Sequence, residues 1–367
     1  MPLVPMYPQD TVRETIKSRF TSELFSIPDL RPFFSHVPGY INPFYEQVKP
    51  ILEQRIDCLY LPPRAQALKK ADYALFTARW WPQATPDRLQ TLAFFSLWLF
   101  TWDDKIDDTD GPLHKDIVGA HRYREETINF TRYTLGLPVN ETETDSSVRF
   151  APLDGLVRSF DVVGKEIQAV YTQEQLEIFA NELEDFVRCV GREQTVRLSG
   201  RIPNTEEFWQ IRMGSSGTGT LLALNEYSCS THIPQSIMTH PEMRTLWDEV
   251  VINVAIANDI LSLKKEIGSV DNIISVKVND QDISIQDAIC QAKDDLLLNI
   301  KRFDQAAEVL ITDTTFHPSP DHKQGLLSIV EECRHNISAN IDWSYTTSRY
   351  GLRDIPQDSA GWMHIEV

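Results

Sequence analysis

Trp98-Leu99-Phe100-Thr101-Trp102-Asp103-Asp104-Lys105-Ile106-Asp107-Asp108 sets an aromatic, apolar run directly against a cluster of carboxylates. The preceding Leu92-Ala93-Phe94-Phe95-Ser96-Leu97 extends that run until every face of a helix is apolar, which is the pattern of a buried helix. At helical spacing Asp103 and Asp107 share a face, as do Asp104 and Asp107 or Asp108. Like charges so placed repel, and a hard cation such as Mg²⁺, which takes oxygen ligands, would relieve them. A charge run considered alone reads as a solvated helix end. The apolar helix in front of this one argues for carboxylates at the mouth of a core.

Helical periodicity dominates from Arg64 to Tyr350, over approximately 64–80, 86–108, 113–136, 151–166, 172–199, 204–213, 220–229, 242–266, 284–310 and 320–348. Strand alternation is nearly absent, which predicts an all-α fold. Trp81-Pro82 and Thr85-Pro86 stop one helix and start the next, and Asp108-Thr109-Asp110-Gly111-Pro112 ends another. Residues 140–145 read as a polar loop and 267–283 as a longer one. Residues 1–60 are rich in Pro and aromatics, with a turn-like Pro38-Gly39-Tyr40-Ile41-Asn42-Pro43, and are expected to form an N-terminal arm packed on a body of residues 61–367. No repeat or low-complexity linker divides the chain, so one domain is the simpler account.

The 367 residues are 42% hydrophobic, enough apolar surface for a folded core, and carry a formal charge of −18. That charge argues against nucleic acid and anionic membranes as partners, while a small anion could still be held where basic residues or cations reverse the field inside a cleft. Cys58, Cys189, Cys229, Cys290 and Cys333 are scattered and odd in number, which suggests reduced core thiols in a cytoplasmic protein. Residues 1–5 lack the basic and apolar segments of a secretory signal, and residues 92–102, the most apolar stretch, are about half the length that spans a bilayer, so no membrane anchor is expected.

A second polar constellation interrupts an apolar helix at Asn258-Asp259-Ile260-Leu261-Ser262-Leu263-Lys264-Lys265-Glu266. Steps of four place Asn258, Ser262 and Glu266 on one stripe, and the long Glu266 side chain can lean back toward the shorter two. Amide oxygen, hydroxyl and carboxylate suit a hard cation, and Lys265 could bind an anion held by it. A merely polar helix face is the competing reading.

Together, Asp103-Asp104-Lys105-Ile106-Asp107 and the 258–266 segment resemble the two metal-binding motifs of class I terpene cyclases of microbial, especially fungal, type. Trp343-Ser344-Tyr345-Thr346-Thr347-Ser348-Arg349-Tyr350 resembles that family's C-terminal element of Trp, five residues and Arg-Tyr. Arg212 lies where the family places its diphosphate-sensing arginine. The resemblance spans about residues 60–350 and implies a single antiparallel helical bundle around a deep active-site cavity. It further implies Mg²⁺-dependent ionisation and cyclisation of an isoprenoid diphosphate, farnesyl diphosphate being favoured, to a sesquiterpene hydrocarbon or alcohol.

Carried over by position, the resemblance makes Asp103 a bridge between two of three Mg²⁺ ions, with Asp104 and Asp107 supporting. Asn258, Ser262 and Glu266 would hold the third, and Arg212, Lys265, Arg349 and Tyr350 would bind the diphosphate. Asp108 falls outside the motif and is expected behind it or in solvent. Ser215 and Ser216 occupy the positions of a linker and an effector carbonyl, in a stretch that Gly214, Gly217 and Gly219 predispose to a broken helix. Phe76, Phe100 and Trp343 are candidates for an aromatic pocket lining, with ordinary core packing as the alternative. The protein is expected as a monomer or homodimer.

The rival readings are a diterpene cyclase on geranylgeranyl diphosphate, a chain-elongating prenyl synthase, which would carry two Asp-rich motifs, and a non-catalytic helical binding protein. A protonation-initiated cyclase would need an Asp-x-Asp-Asp motif, and a helical phosphohydrolase a His-Asp pair. Neither occurs in the sequence.

Overall fold

The Pro86–Asp107 helix is buried along almost its whole length, from Leu89 to Trp102, as its all-round apolar sequence predicts. Pro86 presets its first turn, and Asp108 ends it in an extended conformation. The structure, a computed structural model, describes residues 10–37, 39–139, 154–316 and 319–365. Residues 1–5, Pro38, the 140–145 loop and the first three residues of the predicted 151–166 helix lie outside the described residues.

An all-α bundle surrounds this helix. Pro241–Leu261 packs along Ile285–Thr312 and Pro320–Thr346, while Gln173–Leu198 packs along Thr205–Ser215 and Ile117–Thr134. Tyr73–Trp80 lies between Pro320–Thr346 and the central helix. N-caps follow the sequence: Thr172 with Gln175 forms a capping box, and Asn204, Ser284 and Ser319 accept from the first turns of their helices.

Several predicted helices are split, each for a local reason. The 64–80 helix divides into Pro62–Ala71 and Tyr73–Trp80 because Asp72 takes a left-handed φ of 54° and caps the second piece. Its carboxylate also receives Lys49 Nζ at 2.7 Å. The 220–229 helix divides into Thr218–Leu222 and Asn225–Cys229, with the Tyr171 hydroxyl at the break, donating to the Ala223 carbonyl and accepting from the Tyr227 amide. The 242–266 helix ends at Leu261, pauses at Ser262 and resumes as Leu263–Glu266. The 113–136 helix starts late, at Ile117, on an Asp116 cap, and the described part of the 151–166 segment forms Gly155–Arg158 and Asp161–Gln168.

Three segments carry more structure than their periodicity announced. The predicted 267–283 loop contains the Ile273–Gln281 helix, capped by Asn272. The first sixty residues supply the Asp10–Ser22 and Tyr45–Leu59 helices. In the latter the buried stripe Val48, Leu52 and Ile56 outweighs an internal Pro50. Phe25–Pro28 pairs antiparallel with Trp362–Ile365, so a two-stranded ribbon joins regions far apart in the chain.

All five cysteines are free thiols; Cys189 and Cys333 are buried, Cys229 and Cys290 are partly buried, and Cys58 is exposed rather than in the core. Among the described residues no helix is long and apolar enough to cross a membrane.

Candidate active site

Three helix ends meet at one mouth of the bundle: that of Pro86–Asp107 with its carboxylates, that of Pro241–Leu261 with Asn258, and that of Pro320–Thr346, followed by Arg349 and Tyr350. The last of these ties the other two together. Arg349 donates to Asp104 through Nη2–Oδ1 at 2.6 Å and Nη1–Oδ2 at 3.2 Å. The neighbouring Tyr350 hydroxyl accepts from Asn258 Nδ2 at 2.9 Å. Asn258 Oδ1 in turn accepts from Arg212 Nη2 at 3.0 Å. One residue of each acidic motif, Asp104 and Asn258, and three of the predicted anion-binding residues, Arg212, Arg349 and Tyr350, therefore meet in one network, which the helical periodicity of any single segment could not reveal.

The electrostatics are those of crowded, buried charge. Burial first, then Asp107, Asp104 and Glu193, push the Asp103 carboxyl well above the usual carboxylate range against a weaker pull from Arg349. Burial likewise raises Asp104, but Arg349, Lys265 and Arg64 outweigh it and hold the carboxyl below its ordinary value. Lys265, although on the second motif, acts on Asp104 of the first. Glu266 is raised, by burial and then by Asp259, against Lys265, Arg212 and Ser262. Among the described residues the one ion pair of Asp108 is with Arg64, at 3.9 Å, and burial raises its pKa.

Several polar atoms here are buried without a partner of hydrogen-bonding geometry: Ser262 Oγ, Arg212 Nε, Arg349 Nε and Ser215 Oγ. Unpaired buried donors and acceptors are costly, and their concentration at one mouth fits groups that complete their bonds on a ligand. Ser262 Oγ lies close enough to Glu266 to oppose its upward shift. Carboxylate, hydroxyl and amide oxygens form a donor set for a hard divalent cation. In this arrangement Asp104 is turned to Arg349 and Arg64, and Asp107 to Arg197 at 3.0 Å. Accordingly, among the described residues no three Asp, Glu, His or Cys side chains close on one point.

Phe76, Phe100 and Trp343 pack mutually, with ring centroids 5.1–5.5 Å apart, beside Tyr73 and Tyr350. Trp343 is fully buried and its Nε1 donates to the Ala71 and Asp72 carbonyls, so it also fixes the break between two helices. The Arg349 guanidinium lies 5.7 Å from the Phe100 ring, which places this cluster directly beneath the charged network. The glycine-rich stretch breaks as expected: Thr205–Ser215 ends before Gly217, whose φ of +69° favours glycine. Ser215 faces Glu193, and the Ser216 amide donates to the Arg212 carbonyl.

Sequence reading missed a set of partners that carry no local motif. Asp259, 1% exposed, receives Arg212 Nη2 at 2.6 Å on one oxygen and the Ile273 amide at 2.8 Å on the other. It thereby holds the diphosphate-sensing candidate and anchors the helix that was read as loop. Glu193, pushed up to about 7 by burial and Asp107 against Arg212, sits on the same helix as Arg197. Arg13 from the first helix donates to Asp271 at 2.6 Å in the segment after Glu266. The i,i+4 spacing of Glu193 and Arg197 was visible, but nothing local showed which way that face turns.

Residues 95–302 match the model of terpene synthase family 2, C-terminal metal binding. The sesquiterpene cyclase hepA of Aspergillus oryzae is 40% identical over 97% of this chain and 96% of its own length. The terpene cyclase braA of Annulohypoxylon truncatum is 25% identical over 92% of this chain and 89% of its own. Among solved structures, α-eudesmol synthase superimposes with a TM-score of 0.73 at 18% identity, over 85% of this chain and 97% of that one. Hedycaryol synthase in complex with nerolidol gives 0.69 at 19%, over 84% and 96%. These two share the fold. The family match over the central helices and the near full-length relative lead to one assignment: the chain belongs to the terpene synthase family, as a class I terpene cyclase of the microbial, fungal type.

Proposed function

We propose that the protein ionises farnesyl diphosphate with the help of three Mg²⁺ ions and cyclises the resulting cation to a sesquiterpene hydrocarbon or alcohol, releasing diphosphate. The observation that carries this reading is the bridge from Asp104 through Arg349 and Tyr350 to Asn258, which brings acidic and basic motifs to one end of the bundle. The sesquiterpene cyclase named above, similar along nearly the whole chain, favours the fifteen-carbon substrate.

In this reading Asp103, with Asp104 and Asp107, and Asn258, Ser262 and Glu266 hold the ions. Mg²⁺ held by these residues would supply positive charge that stabilises the departing diphosphate. Arg212, Lys265, Arg349 and Tyr350 supply donors to the same oxygens, already oriented before the anion arrives. Arg349 is then shared between Asp104 and the diphosphate, and its unpaired Nε is available to the ligand. Ser215 and Ser216 act at the broken helix beside Arg212. The packed faces of Phe76, Phe100 and Trp343 keep water away from the mouth and attract the cation.

Incubation with the C10, C15 and C20 allylic diphosphates and Mg²⁺, followed by gas chromatography with mass spectrometry, tests the proposal. Cyclised C15 product with matching diphosphate release is expected from farnesyl diphosphate. Cyclised product from geranylgeranyl diphosphate alone would replace the substrate, and a requirement for isopentenyl diphosphate would make the protein an elongating synthase. Absence of diphosphate release with all three would end the catalytic reading.

A further inference from the structure

Away from the candidate active site, the strongest unexplained feature is a groove of about 420 Å³ between the Ile117–Thr134, Gln173–Leu198 and Thr205–Ser215 helices. Arg124, Arg188, Arg192 and Arg201 line it against only two carboxylates, Glu125 and Glu207. In a chain of formal charge −18 this is a local reversal of sign.

We propose that this groove is an accessory binding site for a small phosphate anion of two or more charges, with inorganic diphosphate as the representative ligand. Arg124 carries the argument. Its side chain is buried, 8% exposed, yet no carboxylate lies within ion-pair distance of it among the described residues. Among the described residues its one hydrogen bond is from Nη1 to Gln194 Oε1 at 2.8 Å, and Gln194 is itself held by donating to the Leu113 carbonyl at 2.7 Å. A buried guanidinium with no carboxylate in direct contact is costly, and burial draws its pKa down against a weaker pull from the more distant Glu125.

The fold nevertheless makes room for it. A Cβ on Gly191 would lie 2.7 Å from Arg124 Nε and 3.0 Å from Cζ, so the guanidinium rests on bare backbone where any side chain would displace it. Arg192 is exposed and donates to the Gln210 carbonyl at 3.1 Å, without a carboxylate partner within ion-pair distance among the described residues. The other two arginines are already satisfied: Arg201 by Glu207, and Arg188 by Glu184 at 2.7 Å.

Two guanidinium groups facing one groove without a carboxylate in ion-pair contact suit phosphate oxygens, which accept such donors in pairs. The size of the groove and the acids around it exclude an extended polyanion or an anionic membrane, both of which the net charge would repel. Val196 and Ile211 separate the groove from the small cavity of Glu193, Arg212 and Ser215, so the site lies behind the catalytic mouth and does not depend on the catalytic reading.

Isothermal titration of sodium diphosphate into the full chain in EDTA and low salt tests this site, with the metal contribution at the catalytic mouth removed by EDTA and the contribution of its basic residues controlled by Arg349→Gln. Saturable one-to-one binding is expected, weakened by at least about tenfold in Arg192→Glu, whose exposed position spares the fold, and lost in Arg124→Gln. Arg349→Gln, which removes a donor at the catalytic mouth, should bind as the unaltered protein does, and malonate should bind at least about tenfold more weakly than diphosphate. No saturable binding, equal affinity in a natively folded Arg192→Glu variant, or equal affinity for malonate would overturn the proposal.

Discussion

Arg349 grips Asp104 through two nitrogens, at 2.6 and 3.2 Å, across 245 residues of chain, and both side chains are largely buried. A pair of this kind is costly to break from one side, because the remaining charge is left without compensation by about 3–5 kcal/mol. Arg64 offers Asp104 a second partner at 2.5 Å, whereas Arg349 has no second carboxylate within ion-pair distance among the described residues. The two partners are therefore not equivalent.

Arg349→Gln is expected to lower kcat/KM for farnesyl diphosphate by at least about 100-fold, the scale of removing one preorganised donor to a developing charge. Because Arg64 remains on Asp104, the thermal midpoint should fall less than in Asp104→Asn, which strands Arg349. Diphosphate-release kinetics and thermal melts of both variants check the ordering; the reverse order of stability would refute it.

Asp103→Asn and Glu266→Gln should each reduce turnover by more than about 100-fold, as expected when charge-stabilising machinery is removed. Both residues are pushed upward because burial and neighbouring acids outweigh their attractive partners, so losing the charge relieves more repulsion than it forfeits attraction. The melting temperature should hold or rise at pH 8. Either variant at full activity would remove the residue from the metal assignment.

Chelation with EDTA should stop catalysis, and Mg²⁺ should restore it. A second readout is independent of chemistry: a ligand that binds only the folded chain stabilises it by mass action, about 2.7 kcal/mol at one hundred times its dissociation constant. Thermal melts with Mg²⁺ and diphosphate together should shift upward. A melt unmoved by both would argue against a preformed site.

Asp259→Asn removes the carboxylate shared by Arg212 and the Ile273 amide. The expected cost is about 3 kcal/mol of stability, as for other broken buried pairs, with hydrogen exchange accelerated across Ile273–Gln281. Arg212→Gln should lower activity without loosening that helix, since the second Asp259 oxygen still holds it. Equal exchange in the two variants would contradict the division of roles.

Glu332, at the other end of the bundle, is fully buried and its carboxyl is pushed up to about 8 by burial, against bonds from Ser228 and Gln83. An acid raised in the folded state stabilises fully below its unfolded pKa of 4.5 and loses that contribution as pH climbs through about 8. Stability should therefore decline from pH 5 to pH 9 by up to about 1.4 kcal/mol per unit from this group. Denaturant titrations of Glu332→Gln should show a shallower decline; an unchanged slope would place the pH dependence elsewhere.

Much of this architecture was legible because buried helices announce themselves: Pro86–Asp107 has no polar face to mistake. Motif residues were legible because short-range spacing fixes which side chains share a face and because their order resembles the family's motifs, whereas their meeting at one end of the bundle depends on how distant helices pack. Helix breaks were not, because their causes are tertiary. The Tyr171 hydroxyl that interrupts 218–229 comes from a different segment, and the left-handed Asp72 is paid back by Lys49 and its own cap. Ile273–Gln281 did carry a signal in the Asn272 cap, hidden by its weak amphipathic pattern. Arg64, Arg197 and Asp259 are ordinary charged residues in sequence, and only the folded arrangement of distant helices makes them partners of the site.

Residues 347–361 leave the last long helix with Thr347 fixed to the Ala71 carbonyl and finish in the strand that pairs with Phe25–Pro28. Arg349 and Tyr350 thus sit on a span clamped at both ends, able to pivot but not to drift away. Much of the disorder that a free tail would surrender on gripping an anion has been surrendered already, during folding. Loosening the ribbon, far from any reacting atom, would weaken capture of the anion by restoring that freedom.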